Sequence, residues 1–101
     1  MRIPKSINVG GTEYTVCLSK FVRHKGRPAH GYISYAERRI YMATHSSITR
    51  RKFTKNEMYD TFWHELTHAL LRSMKNPLYS NERFVRRFAT SLTNAIISAK
   101  L

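Results

Sequence analysis

The chain has 101 residues, of which 18 are Lys or Arg and 6 are Asp or Glu, so its formal net charge is +12. This length accommodates one domain, spanning residues 1–101, and excludes a second hydrophobic core. The single cysteine, Cys17, excludes an internal disulfide and a zinc module built on several cysteines. No apolar run could cross a membrane, and the N-terminus has no apolar secretory segment. We therefore expect a cytoplasmic protein without a membrane partner.

The positive charge is spread along the whole chain. Residues 1–50 carry nine Lys or Arg and two acids, and residues 51–101 carry nine and four. The densest cluster lies within residues 20–30, which contain no acid. Any one cluster is explained equally well as a solvated surface, but the overall imbalance indicates an anionic partner, either DNA or RNA or an acidic protein.

The first half of the chain has the alternating pattern of β-strands. Ile7 and Val9, then Tyr14, Val16 and Leu18, alternate around a Gly10-Gly11 pair, which predicts a β-hairpin with a glycine turn. The basic segment 19–30 is predicted to be a loop. Residues 31–43 are rich in β-formers and predict two short strands around residues 36–38. Residues 44–54 are polar and turn-like.

The second half has a helical period. Four large apolar residues recur at every fourth position from Met58 to Leu70, which predicts an amphipathic helix over residues 54–74. Thr54 and Glu57 form a capping-box pattern at its start, and Asn76-Pro77 ends it. A second helix is predicted from near Ser80 to the C-terminus. The fold class is therefore α+β: a small antiparallel sheet followed by two helices.

The first predicted helix contains His64-Glu65-Leu66-Thr67-His68, the pattern H-E-x-x-H. Residues i and i+4 project from one helix face, so His64 and His68 can bind one metal ion, with Zn²⁺ the cofactor that this pattern indicates. Glu65 is displaced around the helix and is predicted to act as general base on a water at the open coordination position. The alternative is two ordinary histidines on a helix surface.

A catalytic zinc site needs a third protein ligand. The only acid after the motif is Glu82, in the first turn of the second helix, where it could instead complement the helix dipole. The loop histidines His24, His30 and His45 are the other candidates, and His45, which follows a predicted strand, is the best of the three. Cys17 is a poorer candidate, since a half-buried strand cysteine explains it well.

Supporting roles can also be assigned from spacing. Asp60 lies four residues before His64 and could orient its ring, although it could equally be a surface acid. Tyr79 and His45 are weak candidates for stabilising a tetrahedral oxyanion.

The segments TFWHELTHALLRSM and NERFVRRFATSL together resemble the zincin superfamily of metallopeptidases. Within it, residues 31–92 are most similar to small phage and bacterial proteins with a minimal gluzincin core, a group that includes ImmA/IrrE-like and SprT-like proteins. The resemblance implies that His64, His68 and Glu82 are zinc ligands and that Glu65 is the catalytic base. It also implies an edge strand that binds extended peptide, for which Ile40-Tyr41-Met42 is the matching segment.

Two functions follow as expectations. The first is a zinc-dependent metallopeptidase of narrow specificity, in which Glu65 activates a zinc-bound water for attack on a peptide carbonyl. The second is a basic module that binds nucleic acid or an acidic protein and keeps zinc as a structural or vestigial element. If the protein is encoded by a phage, as the resemblance suggests, it would act in the host cytoplasm.

Overall fold

The strands precede the two helices along the chain, and the α+β class is confirmed. The structure is a computed structural model that describes residues 2–99. A main sheet of four strands has the order β1–β2–β6–β5, with β1 at Ser6–Val9, β2 at Thr12–Ser19, β5 at Gly31–Ser34 and β6 at Arg39–Ala43. A separate two-stranded sheet contains β3, Val22–His24, and β4, Arg27–Ala29.

The predicted hairpin and the two strands predicted within residues 31–43 are present in the main sheet. β1 pairs with β2 across Gly10 and Gly11, whose φ angles of 58° and 87° require the freedom of glycine. β5 pairs antiparallel with β6. The predicted sheet was entirely antiparallel, whereas β2 and β6 are parallel neighbours. β6 takes this inner position because Ile40, Met42 and Ala43 are all buried, and a strand so apolar needs neighbours on both edges.

The segment predicted to be a loop, residues 19–30, instead contains the β3–β4 hairpin, which we call the basic hairpin. Its turn residues Lys25 and Gly26 have φ angles of 52° and 77°, as a two-residue hairpin turn requires. Val22 is buried and anchors β3 to the rest of the fold. The prediction failed because a three-residue strand has too little alternation to stand out among so many charges.

Two helices follow the sheet. α1 spans Lys55–Ser73, and its predicted capping box is confirmed: the Glu57 amide donates to Thr54 Oγ1 at 3.2 Å, and the Thr54 amide donates to Glu57 Oε1 at 2.9 Å. A short 3-10 helix, Pro77–Ser80, leads into α2, Glu82–Ser98, which Asn81 caps. α2 begins slightly later than predicted, and the last two residues of its predicted course lie outside the described residues.

The hydrophobic core lies between the main sheet and α1. Ile40 and Met42 of β6 meet Phe62, Leu66 and Ala69 of α1. α1 packs against β5 and β6 on one side and against α2 on another, so its site residues lie at the junction of sheet and helices. Within residues 2–99, no helix is long and apolar enough to cross a membrane.

Candidate metal centre

The H-E-x-x-H residues lie in the middle of α1, facing the first turn of α2. His64 Nε2 lies 3.0 Å from Glu82 Oε2, and His68 Nε2 lies 2.6 Å from Glu82 Oε1. The turn from α1 through the 3-10 helix brings Glu82 back across the two histidines, although 18 residues separate it from His64. The structure therefore brings together the three residues that the sequence singled out as metal ligands, and their ligand role itself stays a prediction.

The orientation of His68 determines which of its ring nitrogens faces Glu82. Its Nδ1 lies 2.5 Å from the Tyr79 carbonyl oxygen, which can only accept, so Nδ1 carries the hydrogen and donates. In neutral His68 the Nε2 lone pair then faces a carboxylate oxygen of Glu82. Two acceptors in contact require a cation, either a proton or a metal ion, and a backbone carbonyl behind the ring is a usual way of orienting a metal-ligating histidine. Two imidazoles and a carboxylate also form a donor set that suits Zn²⁺.

Glu65 lies beside this group and is buried. His64, Glu65 and His68 each offer a ligand atom, and these atoms all lie within 4.8 Å of one another. Burial, helped by the charge of Glu82, raises the pKa of Glu65 to about 8. A carboxyl group in this range can exchange a proton near neutral pH, as a general base must. Its position fits either a ligand or a base. Glu82 is more exposed than Glu65 and contacts both histidines.

Burial is the main cause that lowers the pKa of His64, with Glu82 opposing it and the charges of His68 and Arg86 adding to it. A lowered pKa keeps the imidazole neutral at physiological pH. Neutral imidazole is the form that binds a metal ion, so the surroundings of His64 favour the ligating state.

A groove of about 710 Å³ opens over these residues, between β5 and the two helices; we call it the site groove. β5 forms one wall and is an edge strand of the main sheet. The Ala43 amide donates to the His30 carbonyl at 2.8 Å, and β5–β6 pairing continues in that register. Alternation therefore turns the N–H and C=O groups of Gly31 and Ile33 away from β6, on the side of the groove.

This arrangement corrects the predicted peptide-binding strand. Ile40-Tyr41-Met42 belongs to β6, which has neighbours on both sides and offers no free edge. The edge strand beside the site groove is β5. It approaches α1 so closely that a Cβ on Gly31 would lie 2.9 Å from Thr61 Cγ2 and 3.6 Å from Glu65 Oε2. The absence of a side chain at residue 31 thus lets the free edge pass directly beside the candidate base.

The alternative ligands lie outside the close group around His64 and His68. His45, the preferred loop histidine, contacts Thr44 Oγ1 at 2.8 Å and packs near Phe21, outside the residues that line the site groove. It therefore cannot serve the predicted site as ligand or oxyanion stabiliser. Cys17 is also outside the groove. His24 and His30 do line it, but neither belongs to the close group around His64 and His68.

Asp60 has a different partner from the one predicted. It accepts a hydrogen bond from Thr90 Oγ1 at 3.1 Å and so joins α1 to α2, although it also lines the site groove. Tyr79 lines the groove as well, but its identified contribution is the backbone carbonyl that orients His68.

Sequence reasoning missed several residues of the groove wall, among them Tyr35, Arg86 and Thr90. Burial raises the pKa of Tyr35 to about 12, so its hydroxyl keeps its proton at neutral pH. Arg86 and Thr90 follow Glu82 at intervals of four residues. That spacing was the available signal, because residues i, i+4 and i+8 share one helix face.

Comparison with known protein families, with curated protein sequences and with solved structures finds no match to this chain. The zincin assignment therefore stays a prediction, carried by the H-E-x-x-H motif and by Glu82.

Proposed function

We propose that this protein is a zinc-dependent metallopeptidase of narrow specificity, with His64, His68 and Glu82 as the zinc ligands. The observation that carries the proposal is the contact of both histidine Nε2 atoms with one carboxylate, beside a buried glutamate in an open groove. When bound, zinc would supply Lewis-acid activation of water and of a substrate carbonyl.

Glu65 is the proton carrier in this proposal. Its carboxylate takes a proton from the attacking water as the oxygen bonds to the peptide carbon. It returns the proton to the amide nitrogen as the C–N bond breaks, so that the products are a carboxylic acid and an amine. The raised pKa of Glu65 supports this role, because the group can hold the proton between the two steps.

Substrate binding is assigned to β5. The outward N–H and C=O groups of Gly31 and Ile33 can pair with an extended peptide, which would add a strand to the sheet. This pairing places a peptide backbone along the groove wall beside Glu65.

Metal analysis and one substitution test the proposal. We expect one zinc per chain after purification in zinc-supplemented medium, and hydrolysis of members of a labelled peptide library. Glu65→Gln should keep the zinc and lose turnover by at least about 100-fold. The exposed Glu37→Gln is the matched control and should keep both. Next to no zinc in the wild type, or full activity in Glu65→Gln, would contradict the proposal.

The alternative function is a binding module for nucleic acid or an acidic protein with a structural zinc. It is favoured by the unpaired cations: of the Lys and Arg side chains within residues 2–99, only Arg39 and Arg51 form ion pairs with a carboxylate. Binding to DNA or RNA should then fall steeply as salt rises. Absence of binding at low salt, or a flat salt dependence, would count against it. In either case we propose a cytoplasmic location.

A further inference from the structure

Arg86 is an exposed, charged residue of the site groove. It lies between Glu82 and Thr90 on one face of α2, and all three line the groove. Glu82 contacts the two histidines, and Thr90 donates to Asp60. Arg86 makes no ion pair or hydrogen bond with any residue of the described range. Its planar guanidinium is suited to a carboxylate, which it can bind through two parallel hydrogen bonds.

A second positive region borders the same groove. His24 of the basic hairpin lines the groove and stacks on Tyr32 of β5, with ring centroids 4.4 Å apart. Next to it, Arg23, Lys25 and Arg27 are exposed. No acid occurs between Glu13 and Glu37, so nothing within this segment neutralises the hairpin.

We propose that the site groove selects acidic polypeptide segments. An extended chain paired with β5 would place one carboxylate against Arg86 and others against the basic hairpin at the rim. This inference rests on the proposed peptidase function and names its substrate class. It explains the positive charge around a peptide-binding edge as a source of selectivity and of faster association.

The groove fits a polypeptide better than a nucleic acid. The free N–H and C=O groups of β5 can pair with a peptide backbone. The groove also contains the carboxylates of Asp60 and Glu82, which would repel the phosphates of a nucleic acid. A peptide can place its acidic side chains selectively at Arg86 and at the rim, and so keep them away from these carboxylates.

Peptide binding to the zinc-loaded Glu65→Gln variant tests the inference without turnover. The probes are two fluorescein-labelled decapeptides of the same sequence, one with four glutamates and the other with glutamine at those positions. Fluorescence anisotropy at low salt should give a Kd about tenfold lower for the acidic peptide. The difference should shrink as salt screens the charges. Equal Kd values for the two peptides would overturn the inference.

Substitutions on α2 test whether the preference for the acidic peptide depends on Arg86. Adding Arg86→Gln should reduce the preference for the acidic peptide about fivefold, and Arg86→Lys should restore part of it. Arg87→Gln removes the same charge from the same helix, but Arg87 lies on a separate groove with Phe84 and Phe88, so the preference should persist. An equal loss in both glutamine variants would show that only net charge matters and would contradict a role for Arg86.

Two further arms separate the remaining outcomes. Replacing Arg23, Lys25 and Arg27 together by glutamine should slow association of the acidic peptide several-fold, and an unchanged rate would remove the hairpin from the proposal. The second arm measures binding of a single-stranded oligonucleotide. If it binds more tightly than the acidic peptide, and if Arg86→Gln abolishes that binding, the groove is a nucleic-acid site and the inference is wrong. Zinc content and Glu65-dependent hydrolysis are measured separately, so failure of selectivity and failure of the peptidase proposal remain distinguishable.

Discussion

The helix pair and the basic hairpin differ in which charged side chains they carry and in whether those side chains have partners. Four of the six acids of the chain lie on α1 or α2, and three of them contact specific partners: Glu57 contacts Arg51, Asp60 contacts Thr90, and Glu82 contacts the two histidines. The hairpin has no acid, and its cations face solvent. The net charge of +12 therefore combines a negatively lined site with a positive surrounding surface. Three of the scarce acids, Asp60, Glu65 and Glu82, line the groove where we propose that zinc binds.

The largest expected difference between the two regions is in zinc binding, which should depend on a histidine of α1 and not on a histidine of the basic hairpin. His68→Ala removes one of two imidazoles, so zinc affinity should fall by at least about 100-fold and the stoichiometry should drop to near zero. His24→Ala removes a histidine of the basic hairpin and should leave the zinc content at one per chain. Metal analysis after desalting measures both. Retention of zinc by His68→Ala would mean that the ion binds elsewhere.

Glutamine substitutions at the two site glutamates should have unequal effects. Glu82→Gln replaces a charged ligand with a neutral amide and should weaken zinc binding about 10- to 100-fold. Glu65→Gln should change the zinc Kd by less than about threefold, because we assign Glu65 to proton transfer and not to metal binding. Competition with a chromogenic chelator gives both values. The reverse order would make Glu65 the third ligand in place of Glu82.

Alanine substitutions at two glycines compare how tightly the backbone is packed in the site groove and in the basic hairpin. Gly31→Ala should destabilise the protein by about 2–3 kcal/mol, because the new Cβ would lie 2.7 Å from the Tyr41 carbonyl oxygen and 2.9 Å from Thr61 Cγ2. Gly26→Ala, in the turn of the basic hairpin, meets no atom within 4 Å and should cost only about 1 kcal/mol of backbone strain. Chemical denaturation measures both free energies of unfolding. Equal costs would show that β5 does not pack so tightly against α1.

The smallest effect concerns the start of α1. Hydrogen bonds from Arg51 and from the Thr54 backbone lower the pKa of Glu57 to about 2, against an ordinary value of 4.5. Because the folded pKa is the lower one, Glu57 contributes stability above about pH 4.5 and loses it as the pH falls towards 2. Glu57→Gln should therefore cost no more than about 1 kcal/mol at pH 7, since the pair is exposed, and almost nothing near pH 2. A difference in unfolding free energy that is independent of pH would contradict this account.

Local patterns in the sequence predicted α1, its capping box and the juxtaposition of His64 and His68, because each depends on residues within a few positions of one another. Glu82 could be singled out because acids are so few. The inner position of β6 could not be predicted, because it depends on the pairing of Ile40 and Met42 with residues of β2 that lie 24 positions earlier in the sequence. Arg86 could have been placed near the site from its spacing of four residues after Glu82, but the groove that it lines depends on how α1, α2 and β5 pack together.

A crystal structure of the protein with zinc bound, phased on the anomalous signal of the metal, tests the central claim most directly. The account predicts one strong peak at about 2.0–2.2 Å from Nε2 of His64, from Nε2 of His68 and from a carboxylate oxygen of Glu82. Glu65 should lie beside the peak without coordinating it, and an open coordination position should face the site groove. A peak elsewhere in the chain, or one at this site with Glu82 turned away, would contradict the account.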